Sequence, residues 1–295
     1  MSASARLETP AERRAAVLGH PVAHSASPAL HRAAYAALGL AGWRYDVVDV
    51  TSDRLAGFVA GLDATWAGLS LTMPLKQAVL PLLDHIEPLA AAVGAVNTVL
   101  VQAGGKRPVL VGANTDVYGI VTALAERLPA ADRAPGSAPM RRTAAVLGGG
   151  ATAASALAAL AQLGCSTPVV YVRSLARIGA LHRAVHRMGV EPRYALLSAA
   201  PAEIPSADLV VSTLPAGAAD TVAAALGAPA RGVLLDVVYV PRPTALSRAW
   251  EGAGGVVVGG ERMLLHQAAE QVRLMTGLVA PLAAMERALA EHLGV

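Results

Sequence analysis

Val146-Leu147-Gly148-Gly149-Gly150-Ala151-Thr152-Ala153 is the stretch on which the fold turns. It follows an apolar strand predicted over 143–147 and opens a helix predicted over 152–163, the context in which a glycine-rich turn holds a dinucleotide. Gly148 permits the tight turn, Gly150 lets the backbone approach a pyrophosphate seated on the helix N-terminus, and Ala153 takes the third small position. Gly149, Ala151 and Thr152 complete the loop. The next strand, predicted over 169–173, ends in Tyr171-Val172-Arg173-Ser174, with Arg177 close by. An NAD site places Asp or Glu here on the ribose 2′-hydroxyl. Two guanidiniums and a hydroxyl suit a 2′-phosphate instead, so NADP(H) is the expected cofactor.

Strands and helices continue to alternate on both sides of this turn. Downstream, a helix is predicted over 175–188 and strands over 209–213, 233–238 and 255–258. Upstream, strands are predicted over 15–19, 43–50 and 66–71, helices over 28–38, 55–62 and 76–82, and a hairpin pairs 93–101 with 108–111 around Gly104-Gly105. A helix over 117–128 and a Pro/Ala/Gly/Ser-rich loop over 129–142 separate the two halves, and the final segment, 264–293, reads as helical. The expectation is an α/β protein whose mostly parallel sheets are faced by helices. Residues 1–116 with 264–295 are expected to form a substrate-binding domain, and 117–263 an inserted dinucleotide-binding domain.

The 295 residues are 54% hydrophobic but only 3% aromatic, a composition for Ala-faced helices packed on Val/Leu strands. The net charge of +3 is carried by scattered arginines with no basic stripe, which argues against nucleic acid and for anionic small molecules. The single Cys165 cannot form a disulfide within the chain, residues 1–14 lack the apolar core of a signal peptide, and no apolar run reaches membrane-spanning length. A cytoplasmic protein that does not engage a membrane is expected. His182 and His186 have the i, i+4 spacing of metal ligands, but no third ligand accompanies them, so no metal is expected.

One bias is chemically informative. Of 24 Lys+Arg only Lys76 and Lys106 are lysine, and asparagine occurs only at 97 and 114. Lys106 belongs to a turn, Gly104-Gly105-Lys106-Arg107-Pro108, whereas Lys76 and both asparagines sit inside ordered motifs. These motifs are Gly19-His20-Pro21-Val22-Ala23-His24-Ser25-Ala26-Ser27-Pro28, Ser70-Leu71-Thr72-Met73-Pro74-Leu75-Lys76, Gly94-Ala95-Val96-Asn97-Thr98, Asn114-Thr115-Asp116-Val117-Tyr118-Gly119, and Gly259-Gly260-Glu261-Arg262-Met263-Leu264-Leu265-His266-Gln267-Ala268. Each sits after a strand or at a helix start, where α/β folds gather ligand groups. Ser25 and Ser27 beside Pro28 offer a seat for a carboxylate. Thr72, Asn97 and Gln267 suit a polyol, and Lys76 with Asp116 makes an acid–base pair. A lysine there can donate a proton near neutral pH, which an arginine cannot.

In this order and around this glycine turn, the motifs closely resemble the shikimate dehydrogenase family, over roughly residues 15–277. The resemblance implies reversible NADPH-dependent reduction of 3-dehydroshikimate to shikimate in aromatic amino-acid biosynthesis, by a two-domain enzyme whose inserted domain has the Rossmann fold. It implies that Ser25 and Ser27 bind the substrate carboxylate, and that Thr72, Lys76, Asn97, Asp116 and Gln267 surround the ring hydroxyls. Lys76 and Asp116 are then the catalytic pair, Tyr239 lies beside the substrate, and Gly260, Met263 and Thr213 belong to the nicotinamide side. The chain departs from the family pattern at Ser70 and Val172, where asparagine is usual, and at Ala113, where an acid is frequent. Its turn reads Gly-Gly-Gly-Ala rather than Gly-Ala-Gly-Gly, and Ser212-Thr213-Leu214-Pro215 replaces a typical Asn-Ala-Thr. The alternatives within reach are quinate or aminoshikimate as substrate, or a non-catalytic NADP-binding paralogue. A monomer or homodimer is expected.

Overall fold

The computed structural model describes residues 12–105, 107–128 and 142–294. Most of the 129–142 loop and Lys106 therefore lie outside the described residues. The first half runs β1 (Arg13–Gly19), α1 (Ser27–Ala37), β2 (Trp43–Asp49), α2 (Leu55–Ala60), β3 (Trp66–Leu71), α3 (Leu75–Ala78), β4 (His85–Ile86), α4 (Pro88–Val93), β5 (Thr98–Gln102), β6 (Val109–Ala113) and α5 (Asp116–Ala125). The second runs β7 (Ala144–Leu147), α6 (Ala151–Gln162), β8 (Val169–Val172), α7 (Gly179–Met188), β9 (Arg193–Leu196), α8 (Ala200–Glu203), β10 (Leu209–Ser212), α9 (Asp220–Ala224), β11 (Val233–Asp236), α10 (Ala245–Gly252) and β12 (Val256–Gly259). Two further helices, α11 (Gly260–Thr276) and α12 (Leu282–Leu293), close the chain.

The strands form two six-stranded sheets, ordered β2-β1-β3-β5-β6-β4 and β12-β11-β10-β7-β8-β9. The second sheet is parallel in every pairing. Its order reverses direction between β7 and β10, the switch point outside which doubly wound sheets bind ligands. The glycine turn leaves β7 and Thr213 leaves β10 at that point. The first sheet is mostly parallel too, with β5 running antiparallel to both its neighbours, β3 and β6. The short 103–108 connection makes β5 and β6 a hairpin, which no parallel crossover could span.

Glycine and proline account for several differences in where the predicted elements start and stop. The predicted 76–82 helix divides into α3 and a 3₁₀ turn at Leu80–Leu82, since Pro81 has no N–H to continue the ladder. The predicted strand at 93–101 begins only at Thr98, because Pro88 starts α4 and Gly94, at φ +71°, ends it left-handed. The predicted 175–188 helix is a 3₁₀ turn at Leu175–Arg177 followed by α7. The terminal helix breaks at Gly277, φ +75°, before Pro281.

α11 and α12 return to the first sheet. Leu264, Leu265, Ala268 and Val272 of α11, with Met285 and Leu289 of α12, share one apolar core with Ala15, Val17, Leu30 and Tyr45. A separate core under the second sheet joins Val146, Leu157, Val170 and Leu235 with Ile120 and Leu124 of α5. The helices α5 and α11 thus run side by side between the sheets. The 116/117 and 263/264 boundaries fall in their first turns.

Candidate active site

Lys76 is fixed by its backbone before its side chain is considered. The buried Leu75 anchors α3, and the Lys76 carbonyl accepts the N–H of Val96 at 2.8 Å. Its Nζ donates to Asp116 Oδ2 at 2.5 Å. Asp116 opens α5, where the helix dipole favours a negative charge. Its side chain is only 1% exposed, so the carboxylate depends on partners rather than water. Asn97 provides the second one, its Nδ2 donating to Asp116 Oδ1 at 2.8 Å. That amide group also lies 2.9 Å from Thr115 Oγ1 and 2.9 Å from Gln267 Oε1. On the other side, Asn97 Oδ1 accepts from the Thr115 N–H at 2.7 Å and from Thr98 Oγ1 at 2.9 Å.

A small cavity of about 210 Å³ opens over this cluster, lined among others by Ser25, Ser27, Thr72, Lys76, Tyr239 and Gln267. Ser27 begins α1 with Pro28, which has no N–H, at its next position, and the Ala29 N–H turns back to the Ala26 carbonyl at 3.1 Å. The Ser27 N–H itself faces Ser25 Oγ at 3.3 Å. Burial pushes the Tyr239 hydroxyl above its ordinary pKa, which keeps it a neutral donor. The enclosure is smaller than a drug-sized pocket and rich in hydroxyls and amides, dimensions for a compact polar molecule.

The neighbouring cleft is larger, about 680 Å³. Gly148 turns out of β7 at φ +117°, and a Cβ there would lie 2.4 Å from Thr213 Oγ1, so only glycine fits. Gly150 caps α6, and a Cβ on it would meet nothing within 4 Å: the helix N-terminus faces open space. Ala151, Thr152, Ala153, Arg173, Ser174, Arg177 and Thr213 also line the cleft, as do Gly149 and Val172. Among the described residues no carboxylate lines it, whereas three cations do. An anion-seating helix end beside two guanidiniums fits a dinucleotide carrying a 2′-phosphate.

The two cavities share Thr72 and Lys76. Of the other residues expected at the site, Asn97 and Asp116 stand behind the walls, reached through Gln267 and Lys76. Gly260 and Met263 line neither cavity. A Cβ at Gly260 would lie 2.3 Å from the Val237 carbonyl oxygen, so its smallness serves the passage from β12 into α11, while Met263 is packed in the second core. Sequence reading noted Ser70 only as a departure from the family pattern, and passed over Gln271, which lines the small cavity with it, and Tyr45, whose hydroxyl donates to Ser70 Oγ at 2.7 Å. Gln271 had a legible signal: it follows Gln267 by one helical turn, so both amides share a face.

Comparison with known proteins agrees with this geometry. The model of the shikimate dehydrogenase substrate binding domain matches residues 17–99, and that of the shikimate 5′-dehydrogenase C-terminal domain matches 260–290. The shikimate dehydrogenase (NADP(+)) of Citrifermentans bemidjiense is 37% identical over 95% of both chains. The crystal structure of Mycobacterium tuberculosis shikimate dehydrogenase superposes with a TM-score of 0.81 at 39% identity, covering 95% of this chain and 99% of the other. The Thermus thermophilus enzyme, solved with NADP(H) and shikimate, gives a TM-score of 0.76 at 36% identity over 95% and 99%. Sequence, fold and the paired cavities meeting at Lys76 lead to one assignment: the chain belongs to the shikimate dehydrogenase family.

Proposed function

We propose that this chain catalyses the reversible, NADP-dependent interconversion of 3-dehydroshikimate and shikimate, a step of aromatic amino-acid biosynthesis. The observation that carries this reading is the seam at Thr72 and Lys76, where a hydroxyl-rich cavity meets a cleft lined by glycines and arginines. NADP(H), when bound, supplies or takes up the hydride. Gly148, Gly149, Gly150 and the first turn of α6 would hold its pyrophosphate, and Arg173, Ser174 and Arg177 its 2′-phosphate.

The chain's own residues handle recognition and the proton. Ser25 and Ser27 hold the substrate carboxylate at the α1 N-terminus, and Tyr239 and Gln267 contact the ring. In the reducing direction Lys76 Nζ gives a proton to the former ketone oxygen. In the oxidising direction the neutral amine takes the proton from the hydroxyl. Asp116 holds the amine in place from behind the cavity wall, with Asn97 orienting the carboxylate. Thr72, beside Lys76, hydrogen-bonds the same ring.

The division into a substrate-binding part (1–116 with 264–295) and a cofactor-binding part (117–263) is supported by the two sheets and by the return of α11 and α12 to the first. A cytoplasmic enzyme acting on small molecules, as monomer or homodimer, completes the proposal. The lone, buried Cys165 fits a reducing compartment.

Steady-state kinetics with shikimate, quinate and aminoshikimate, each with NADP and NAD, tests the reading. The expected result is highest kcat/KM for shikimate with NADP. Preference for quinate or for NAD would overturn the respective half, and cofactor binding without turnover of any substrate would overturn both.

A further inference from the structure

Beneath the substrate cavity lies a buried chain of hydrogen bonds of which the mechanism above uses only the last link. Tyr45 Oη donates to Ser70 Oγ at 2.7 Å, and Ser70 Oγ donates to Gln271 Oε1 at 2.9 Å. Gln271 Nε2 donates to Thr98 Oγ1 at 3.0 Å, and Thr98 Oγ1 to Asn97 Oδ1 at 2.9 Å. Asn97 Nδ2 then donates to Asp116 Oδ1 at 2.8 Å. Every proton points the same way, toward the carboxylate that holds Lys76, so each bond polarises the next.

The orientation of Gln271 sets this direction. Its Nε2 faces the Asn97 backbone carbonyl at 3.4 Å as well as Thr98, and a backbone carbonyl can only accept. Its Oε1 faces Ser70 Oγ and, at 3.2 Å, His31 Nε2. Burial holds His31 down to a pKa of about 3, against the opposing hydrogen bond to Gln271, so the ring is neutral. Gln271 Oε1 can only accept, so Nε2 is the protonated nitrogen of this ring and Nδ1 accepts from Tyr35 Oη at 3.3 Å. A hydroxyl has one proton and two lone pairs. The Ser70 proton goes to Gln271 and one lone pair takes the Tyr45 proton, leaving one lone pair on a residue that lines the cavity.

We propose that Gln271 is a positioning residue that makes Ser70 a pure hydrogen-bond acceptor on the cavity floor, so that this spot selects a ring hydroxyl and disfavours a carbonyl or an apolar ring edge. The inference rests on the reading of the cavity as the shikimate site and adds to it a residue that sets substrate specificity through Ser70.

A double-mutant cycle of Ser70→Ala, Gln271→Ala and the pair tests it, with KM and kcat for shikimate and calorimetric Kd for the same ligand. Ser70→Ala is expected to raise KM and Kd about tenfold with kcat within about threefold, the loss of one good hydrogen bond. Gln271→Ala should do nearly the same alone and almost nothing further in the Ser70→Ala background, while KM for NADP stays put. Gln271→Met, which keeps the volume but cannot accept, should copy Gln271→Ala and serves in its place if the smaller side chain prevents folding. Additive effects in the cycle, or an unchanged shikimate Kd in either single variant, would overturn the inference while leaving the proposed reaction intact. Wild-type protein that binds shikimate with this coupling yet does not turn it over would instead overturn the reaction alone.

Discussion

A single proton transfer gives meaning to the residues around Lys76. In a chain that carries 22 of its 24 basic side chains as arginine, the amine at position 76 stands 13% exposed, 2.5 Å from a carboxylate that is 1% exposed. Removing the charge from that carboxylate while keeping its shape tests the pair: Asp116→Asn should lower kcat by about 10²-fold, the usual worth of a positioned acid–base group. A turnover within about threefold of wild type, in a variant whose thermal melt is unchanged, would remove Asp116 from the mechanism. Lys76 and Asn97 were legible because rare residue types fell inside ordered motifs, and Asp116 and the serine pair because they stood in motifs of the same set. Ser70, Tyr45 and Gln271 were not, because their roles depend on three elements converging through burial, and only Gln271's helical spacing hinted at it.

Elements decide where the cofactor side can form. The turn after β7 is closed by Thr213, whose hydroxyl donates to the Leu147 carbonyl at 3.0 Å and occupies the place a Gly148 side chain would need. Gly148→Ala is therefore expected to cost roughly 1–3 kcal/mol in stability, because the left-handed φ and the contact act together, and to weaken NADP binding. A denaturation curve matching wild type would contradict this. Beyond the turn, Arg173→Ala and Arg177→Ala should each raise the Kd of NADP by about tenfold or more while leaving that of NAD nearly unchanged, the signature of a lost charge-assisted contact to a 2′-phosphate. Equal losses for both cofactors would return these arginines to a general surface role. The glycine turn could be read from its flanking elements, as could most strands. Helix α4 and the division of the 76–82 segment could not, since a proline start and a left-handed glycine stop override the apolar alternation of the same residues.

The whole molecule is tied together by what crosses between the sheets. Arg262 of α11 pairs with Glu126 just beyond α5, Nε to Oε2 at 2.9 Å, and with Glu286 of α12, while His266 Nε2 reaches Glu126 Oε1 at 2.6 Å. The sheet order around the switch point and the return of the last helices to the first core lay beyond periodicity, which shows that elements exist but not which neighbours they choose. Acid sensitivity belongs to this scale too. Burial lowers the pKa of His31 from 6.5 to about 3, so between those values the unfolded chain binds a proton that the folded chain does not. Stability is then full above pH 6.5 and falls as pH drops toward 3, by on the order of 5 kcal/mol at the low end from this group. Urea titrations at about pH 7 and about pH 4.5 should show a smaller loss in His31→Phe than in wild type. An equal loss in both would place the acid sensitivity elsewhere.

The turnover of Lys76→Ala, set against its binding, is the most direct test of a site built around this amine. Lys76 lies where the two cavities meet, so its removal should lower kcat for shikimate oxidation by about 10²–10⁴-fold while the Kd values of shikimate and NADP move by less than about tenfold. A folded Lys76→Ala variant that turns over shikimate at a near-normal rate would contradict the assignment of the proton transfer to Lys76.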